Sequence, residues 1–174
     1  MAEVLIVVDM QNDFIDGALG SAEAVAIVPK VVDKVRNFEG RVIFTRDTHF
    51  ENYLDTQEGK NLPVPHCIKD SEGWQICEAL RPYCNELPIN KPSFGSPSLA
   101  EQLKSMDARE HLTGVTLVGL CTDICVISNA MLIKAAIPEV PITVDASCCA
   151  GVSPASHKTA LEAMKMCQIR VINE

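Results

Sequence analysis

The stretch Val115–Ala136, VTLVGLCTDICVISNAMLIKAA, leaves the chain few architectures to choose from. It opens on a short, β-branched apolar run, Val115 to Leu120, the pattern of a strand buried on both faces. From Cys125 onward the apolar spacing turns helical, through Val126, Ile127, Ala130, Met131 and Ile133. The expected unit is a buried strand, a turn through Gly119–Asp123 and a helix. Thr122 or Asp123 is expected to cap that helix, because a short oxygen side chain accepts its free first-turn amides. Cys125 is then expected in the first turn, where the positive end of the helix dipole favours a thiolate. Free backbone amides nearby can hold a developing oxyanion. Cys125 therefore reads either as a nucleophile or as an ordinary buried cysteine.

The same alternation runs along the whole chain. Val4 to Val8 is a second continuous apolar run, and it ends at Asp9. Pro29 suits the first turn of a helix carrying Val28, Val31, Val32 and Val35, which stops near Gly40. Arg41 to Thr45 is a short strand that leads into Arg46-Asp47-Thr48-His49. Glu51 to Glu72 reads as a long irregular loop, and Gly73 to Tyr83 as a helix. A weaker strand over Glu86–Asn90 precedes Lys91, and Pro97 starts a helix through Leu99 and Leu103. Pro141 to Val144 is a strand ending at Asp145, Pro154 to Met166 a helix, and Ile169 to Ile172 a last strand. Strands alternating with helices predict a parallel sheet covered on both faces, with right-handed crossovers. Asp9, Asp47, Lys91 and the Thr122–Cys125 turn then come from different strands but share one rim of the sheet. A carboxylate, an ammonium and a thiol on one rim are the parts of a nucleophilic amide hydrolase.

Asp47 and His49 lie two residues apart and face the same side if the chain stays extended, which suits two ligands on one cation. Glu58 and His66, from the long loop, can close on the same ion. Their spacing is not a metal signature by itself, so polar rim residues remain the competing reading.

With 174 residues, 47% hydrophobic and 22% charged, the chain is expected to form one domain over residues 1–174. A net charge of -8 argues against nucleic acid and anionic membrane as partners. No apolar run reaches membrane-spanning length, and the first residues lack the marks of a signal peptide. Eight cysteines with no CxxC pair are expected to stay reduced, as in a cytoplasmic enzyme. Cys148 and Cys149 should point to opposite faces if they lie in a strand.

Five pieces carry a resemblance: LIVVDMQNDF at Leu5–Phe14, RDTH at Arg46–His49, PHC at Pro65–Cys67, NKPSFGS at Asn90–Ser96 and LVGLCTDICV at Leu117–Val126. In this order they resemble the isochorismatase-like cysteine hydrolases, the nicotinamidase superfamily. The resemblance implies a three-layer α/β sandwich with a six-stranded, mainly parallel sheet of order 3-2-1-4-5-6. It implies a catalytic triad of Asp9, Lys91 and Cys125. It further implies a cis Leu120–Cys121 peptide and an oxyanion hole formed by the Cys121 and Cys125 amides. The family's metal ligands match Asp47, His49 and His66, with Glu58 matching a carboxylate of some members. The cofactor implied is a divalent transition metal, zinc foremost and iron or manganese as alternatives, with no organic cofactor. The family is also often dimeric or larger, so a homo-oligomer is expected.

Phe14 matches one aromatic wall of the family's substrate pocket. The other wall, usually a Trp before the PHC-type His, is replaced here by Leu62-Pro63, and Trp74 comes too late. The segment after PHC reads IKDSEGW in place of the usual Gly-Thr pattern. The expected substrate is thus nicotinamide, another small primary amide or a carbamoyl compound. The nucleophilic Cys speaks against ether hydrolysis of the isochorismate type. A non-catalytic binding protein on the same fold is the alternative of a different class.

Overall fold

A computed structural model describes residues 2–174. Six parallel strands are present: β1 (Ala2–Val8), β2 (Arg41–Asp47), β3 (Ile89–Lys91), β4 (Leu112–Leu120), β5 (Ile142–Ala150) and β6 (Arg170–Ile172). They form one sheet in the order β3-β2-β1-β4-β5-β6. The main helices are α1 (Asn12–Ile15), α2 (Ala22–Arg36), α3 (Gln57–Asn61), α4 (Pro97–Glu110), α5 (Ile127–Ala136) and α6 (Pro154–Met166).

The central strand explains the sandwich. Every residue from Val4 to Val8 is fully buried. Val4, Ile6 and Val8 pack with Leu99, Leu103, Ala130, Ile133, Leu161 and Met164, from α4, α5 and α6. Leu5 and Val7 pack with Ala24, Ile27, Val31 and Val35, from α2. Alternate residues of one strand thus feed two apolar layers, which is why the run shows no polar alternation. Cys149 joins the first layer and Cys148 the second, as their adjacency predicts.

The order reverses between β1 and β4, and polar residues gather at the strand ends beside this switch point. Gly119 lets the two central strands come close there. Its φ is +115°, and a Cβ on it would lie 2.1 Å from the Val8 carbonyl oxygen.

Several local expectations are corrected. Pro29 lies inside α2, which starts earlier because the Ser21 hydroxyl accepts the Ala24 amide at 3.0 Å. Pro29 is exposed, so water can satisfy the carbonyl its ring leaves without a partner. Gly73–Tyr83 is a series of turns ending in a 3-10 turn at Arg81–Tyr83, not a helix. Its Trp74, Ile76, Cys77 and Leu80 are nonetheless buried, so burial rather than helicity produced the apolar spacing. The Glu51–Glu72 loop contains a 3-10 turn at Tyr53–Asp55 as well as α3. Strand β5 runs past Asp145 to Ala150, with a register shift against β4 between Leu117 and Gly119.

Candidate active site

Asp9 follows β1, Lys91 ends β3 and Cys125 follows β4, and the three meet at the switch point. All three are buried, with Asp9 wholly so. Lys91 Nζ lies 2.5 Å from Asp9 Oδ2 and 3.3 Å from Cys125 Sγ. It also donates to the Ser93 carbonyl at 3.0 Å. Asp9 Oδ1 accepts from Thr45 Oγ1 at 2.6 Å, whereas Oδ2 makes no well-angled hydrogen bond and is held by the Lys91 charge.

Burial raises the pKa of Asp9; the Lys91 ammonium opposes the rise and Asp47 adds to it. Burial would discharge Lys91, but Asp9, Cys125 and Asp47 outweigh it and keep the ammonium. Burial and the Asp9 charge push the Cys125 thiol well above its ordinary range, with Lys91 only partly opposing them. Burial thus favours the thiol form of Cys125, against the pull toward thiolate expected at a helix end. The dipole of a helix end does not compensate a fully desolvated sulfur.

The turn carrying Cys125 also departs from expectation. Thr122–Val126 is a π-turn, and α5 begins only at Ile127. Neither Thr122 nor Asp123 caps it; Cys121 occupies that position without a side-chain bond. Thr122 Oγ1 instead contacts His157 Nδ1 at 2.7 Å, and the Asp123 carboxylate accepts the Val152 amide at 3.1 and 3.3 Å. The Leu120–Cys121 peptide bond is cis. Neither the Cys121 nor the Cys125 amide donates to a carbonyl outside its own helix or strand, among the described residues.

Beside this centre stand Asp47, His49, Glu58 and His66, with one ligand atom from each within 4.8 Å of the others. His49 Nε2 lies 3.0 Å from Asp47 Oδ2 and 3.5 Å from Glu58 Oε1. His66 Nε2 lies 3.5 Å from Asp47 Oδ2 and 3.7 Å from Glu58 Oε1. His66 Nδ1 donates to the Val64 carbonyl at 2.8 Å, which aims Nε2 inward as a ligand. Burial disfavours charge on His49, yet hydrogen bonds to Asp47 and Glu58 outweigh it and raise its pKa to about 9. The cluster thus favours positive charge. Two imidazoles and two carboxylates fit a divalent transition metal such as zinc.

The loop bearing His66 is held by more than these ligands. Cys67 N donates to Asp13 Oδ2 at 2.7 Å, and the His49 amide donates to the Cys67 carbonyl at 3.0 Å. Tyr53, packed edge-on against both imidazoles, donates its hydroxyl to the Leu62 carbonyl at 2.8 Å.

Phe14 and Leu62 line one cavity of about 430 Å³ with Leu19, Leu120, Cys121 and Ile124. Phe14 also packs against the His66 ring, centroids 5.5 Å apart, so this cavity adjoins the ligand cluster. Trp74 lies elsewhere, its indole NH on Thr48 Oγ1 at 2.9 Å and its ring under the Arg46 guanidinium.

Sequence reasoning missed Thr45, Gln11 and Asn129. The Gln11 amide donates to the Asp47 and Trp74 carbonyls at 2.8 and 2.9 Å and accepts the Asp47 amide at 2.7 Å. Asn129 Nδ2 donates to the Cys125 carbonyl at 2.8 Å. Asn129 carried one signal, since an amide stood on the apolar face of a predicted helix. Gln11 and Thr45 carried none.

A family model described as the isochorismatase domain matches residues 3–173. The pyrazinamidase of Pyrococcus horikoshii, solved in complex with zinc, is 26% identical, with 100% of both chains covered and a TM-score of 0.79. The pyrazinamidase/nicotinamidase of Streptococcus mutans is 26% identical over 98% of this chain and 100% of its own, with a TM-score of 0.82. The nicotinamidase of Schizosaccharomyces pombe is 25% identical over 98% of this chain and 92% of its own length. A model spanning nearly the whole sequence, on this sheet order, makes the chain a member of the isochorismatase domain family.

Proposed function

We propose that this chain is a cysteine-dependent amidohydrolase that releases ammonia from a small primary amide, with nicotinamide as the leading substrate. The observation that carries this reading is the buried contact of Lys91 with both Asp9 and Cys125, at 2.5 and 3.3 Å.

The steps follow from the groups present. Cys125 gives its thiol proton to Asp9, whose raised pKa suits it to take one. Lys91 stabilises the thiolate as it forms. Sulfur attacks the amide carbonyl, and the Cys121 and Cys125 amides hold the resulting oxyanion. Asp9 returns the proton to the departing ammonia, leaving a thioester on Cys125. Asp9 then deprotonates a water that attacks the thioester, freeing the acid and the thiol. Asp47, His49, Glu58 and His66 would hold the metal. When bound, it supplies a Lewis-acid contact that orients the substrate. Phe14 and Leu62 form walls of the pocket.

Nicotinamide leads because the similar enzymes of Streptococcus mutans and Schizosaccharomyces pombe carry that activity in their names. Another small amide or a carbamoyl compound is the second reading, favoured by Leu62 standing where nicotinamidases carry an aromatic wall. A binding protein would have no use for a buried base, ammonium and thiol in contact. We read the enzyme as a single domain, cytoplasmic and homo-oligomeric, acting on a small molecule. Ammonia release from a panel of small amides tests the proposal: turnover of at least one is expected, and none across the panel with metal-loaded protein would overturn it.

A further inference from the structure

The π-turn that carries Cys125 is gripped from outside the reacting groups. Thr122, its first residue, is fully buried, and its hydroxyl lies 2.7 Å from Nδ1 of His157 on α6. The next residue, Asp123, takes the Val152 amide, just before α6. The His157 backbone is drawn tightly onto the preceding loop, for a Cβ on Gly151 would lie 2.9 Å from His157 N and Cβ. Ser153 and Ser156 form a reciprocal cap that fixes this end of α6. His157 lines a separate cavity of about 260 Å³ with Glu23, Lys30 and Ser147, and it does not line the one containing Phe14 and Leu62.

We infer that His157 is a positioning residue: through Thr122 it sets where the Cys121 and Cys125 amides point. Thr122 lies between those amides in the chain, so a rotation of its backbone moves one relative to the other. A hydroxyl anchored on a helix end opposes that rotation. Burial, ahead of the opposing charges of Asp123 and Glu174, lowers the His157 pKa, so the ring is neutral near pH 7 and keeps one acceptor for the Thr122 hydroxyl. The inference rests on the amidase reading above and adds a residue that touches neither substrate nor metal.

The test compares wild type, His157→Ala, His157→Asn, Thr122→Val and the double variant His157→Ala/Thr122→Val. Three quantities are read: amide turnover, KM, and the rate at which Cys125 is alkylated. His157→Ala is expected to lower kcat roughly 10- to 100-fold, with KM little changed, because small misplacements of oxyanion donors cost this much. Alkylation of Cys125 should hold its rate, since Asp9 and Lys91 are untouched. Asparagine can present an oxygen acceptor near Nδ1, so His157→Asn should recover most of the loss. The double variant should be no worse than the more damaged single one. Unchanged kcat in His157→Ala, a parallel fall in alkylation, or losses that multiply in the double variant would each overturn the inference. Failure of the amidase reading shows differently: the wild-type protein would then release no ammonia from any small amide.

Discussion

The Lys91 ammonium lies 3.3 Å from Asp47 Oδ1, so the cation that pairs with Asp9 also touches a member of the ligand cluster. The thiol centre and the metal cluster are therefore one electrostatic unit.

Removal of that cation should be felt in stability as well as rate. Lys91→Met leaves Asp9 and Asp47 buried without their shared counter-charge, at an expected cost of about 3–5 kcal/mol. Denaturant unfolding checks this. Adding Asp9→Asn to Lys91→Met should restore part of the loss, and a double variant less stable than Lys91→Met would contradict the shared role.

Asp9→Asn keeps the shape of the side chain but cannot take the thiol proton. Turnover should fall about 100- to 10,000-fold. Steady-state ammonia release measures it, and near-wild-type turnover would remove Asp9 from proton transfer.

The metal cluster makes a separate prediction. His66→Ala removes an inward-facing imidazole whose partner nitrogen is fixed by Val64. Element analysis of tag-free protein should find up to one transition metal per wild-type chain and clearly less in the variant. The substrate KM should rise more than kcat falls. Equal metal content in both proteins would remove His66 from the ligand set.

Away from the site, Asp145 ties β5 to α2 and to the chain end. It bonds Lys34 at 2.9 Å, Ser147 at 2.8 Å and Asn173 at 3.0 Å. Burial alone would raise its pKa, but these three partners outweigh it and hold it below the ordinary carboxylate range. A depressed folded pKa gives stability that is present above the unfolded value and lost as pH falls through the folded one. Asp145→Asn should therefore cost about 1–2 kcal/mol near neutral pH, discounted for the partly exposed Lys34. The gap from wild type should shrink as pH drops below about 4. A gap that stays constant down to acid pH would contradict this assignment.

The legible parts of the fold were those with a simple burial pattern. Val4–Val8 is apolar throughout and Val115–Leu120 is broken only by Thr116 and Gly119, and both are central strands. The rim residues were readable because a parallel sheet brings its C-terminal strand ends together whatever the loops do. Gly73–Tyr83 misled because buried turns can mimic helical spacing, with Trp74 and Leu80 each held by tertiary contacts. The π-turn at Thr122–Val126 was hidden for a similar reason, since the residues its side chains contact, His157 and Val152, lie far along the chain. Thr45 and Gln11 became visible only in three dimensions, because each acts on a residue of another strand or loop.

The central claim is that Cys125 attacks the amide carbon, and ammonia release by pure Cys125→Ala tests it most directly. The substitution removes a sulfur from a buried pocket and leaves Asp9, Lys91 and the ligand cluster in place. A folded, metal-loaded variant that releases ammonia only at the background rate is the predicted result. Release at or near the wild-type rate would contradict the account.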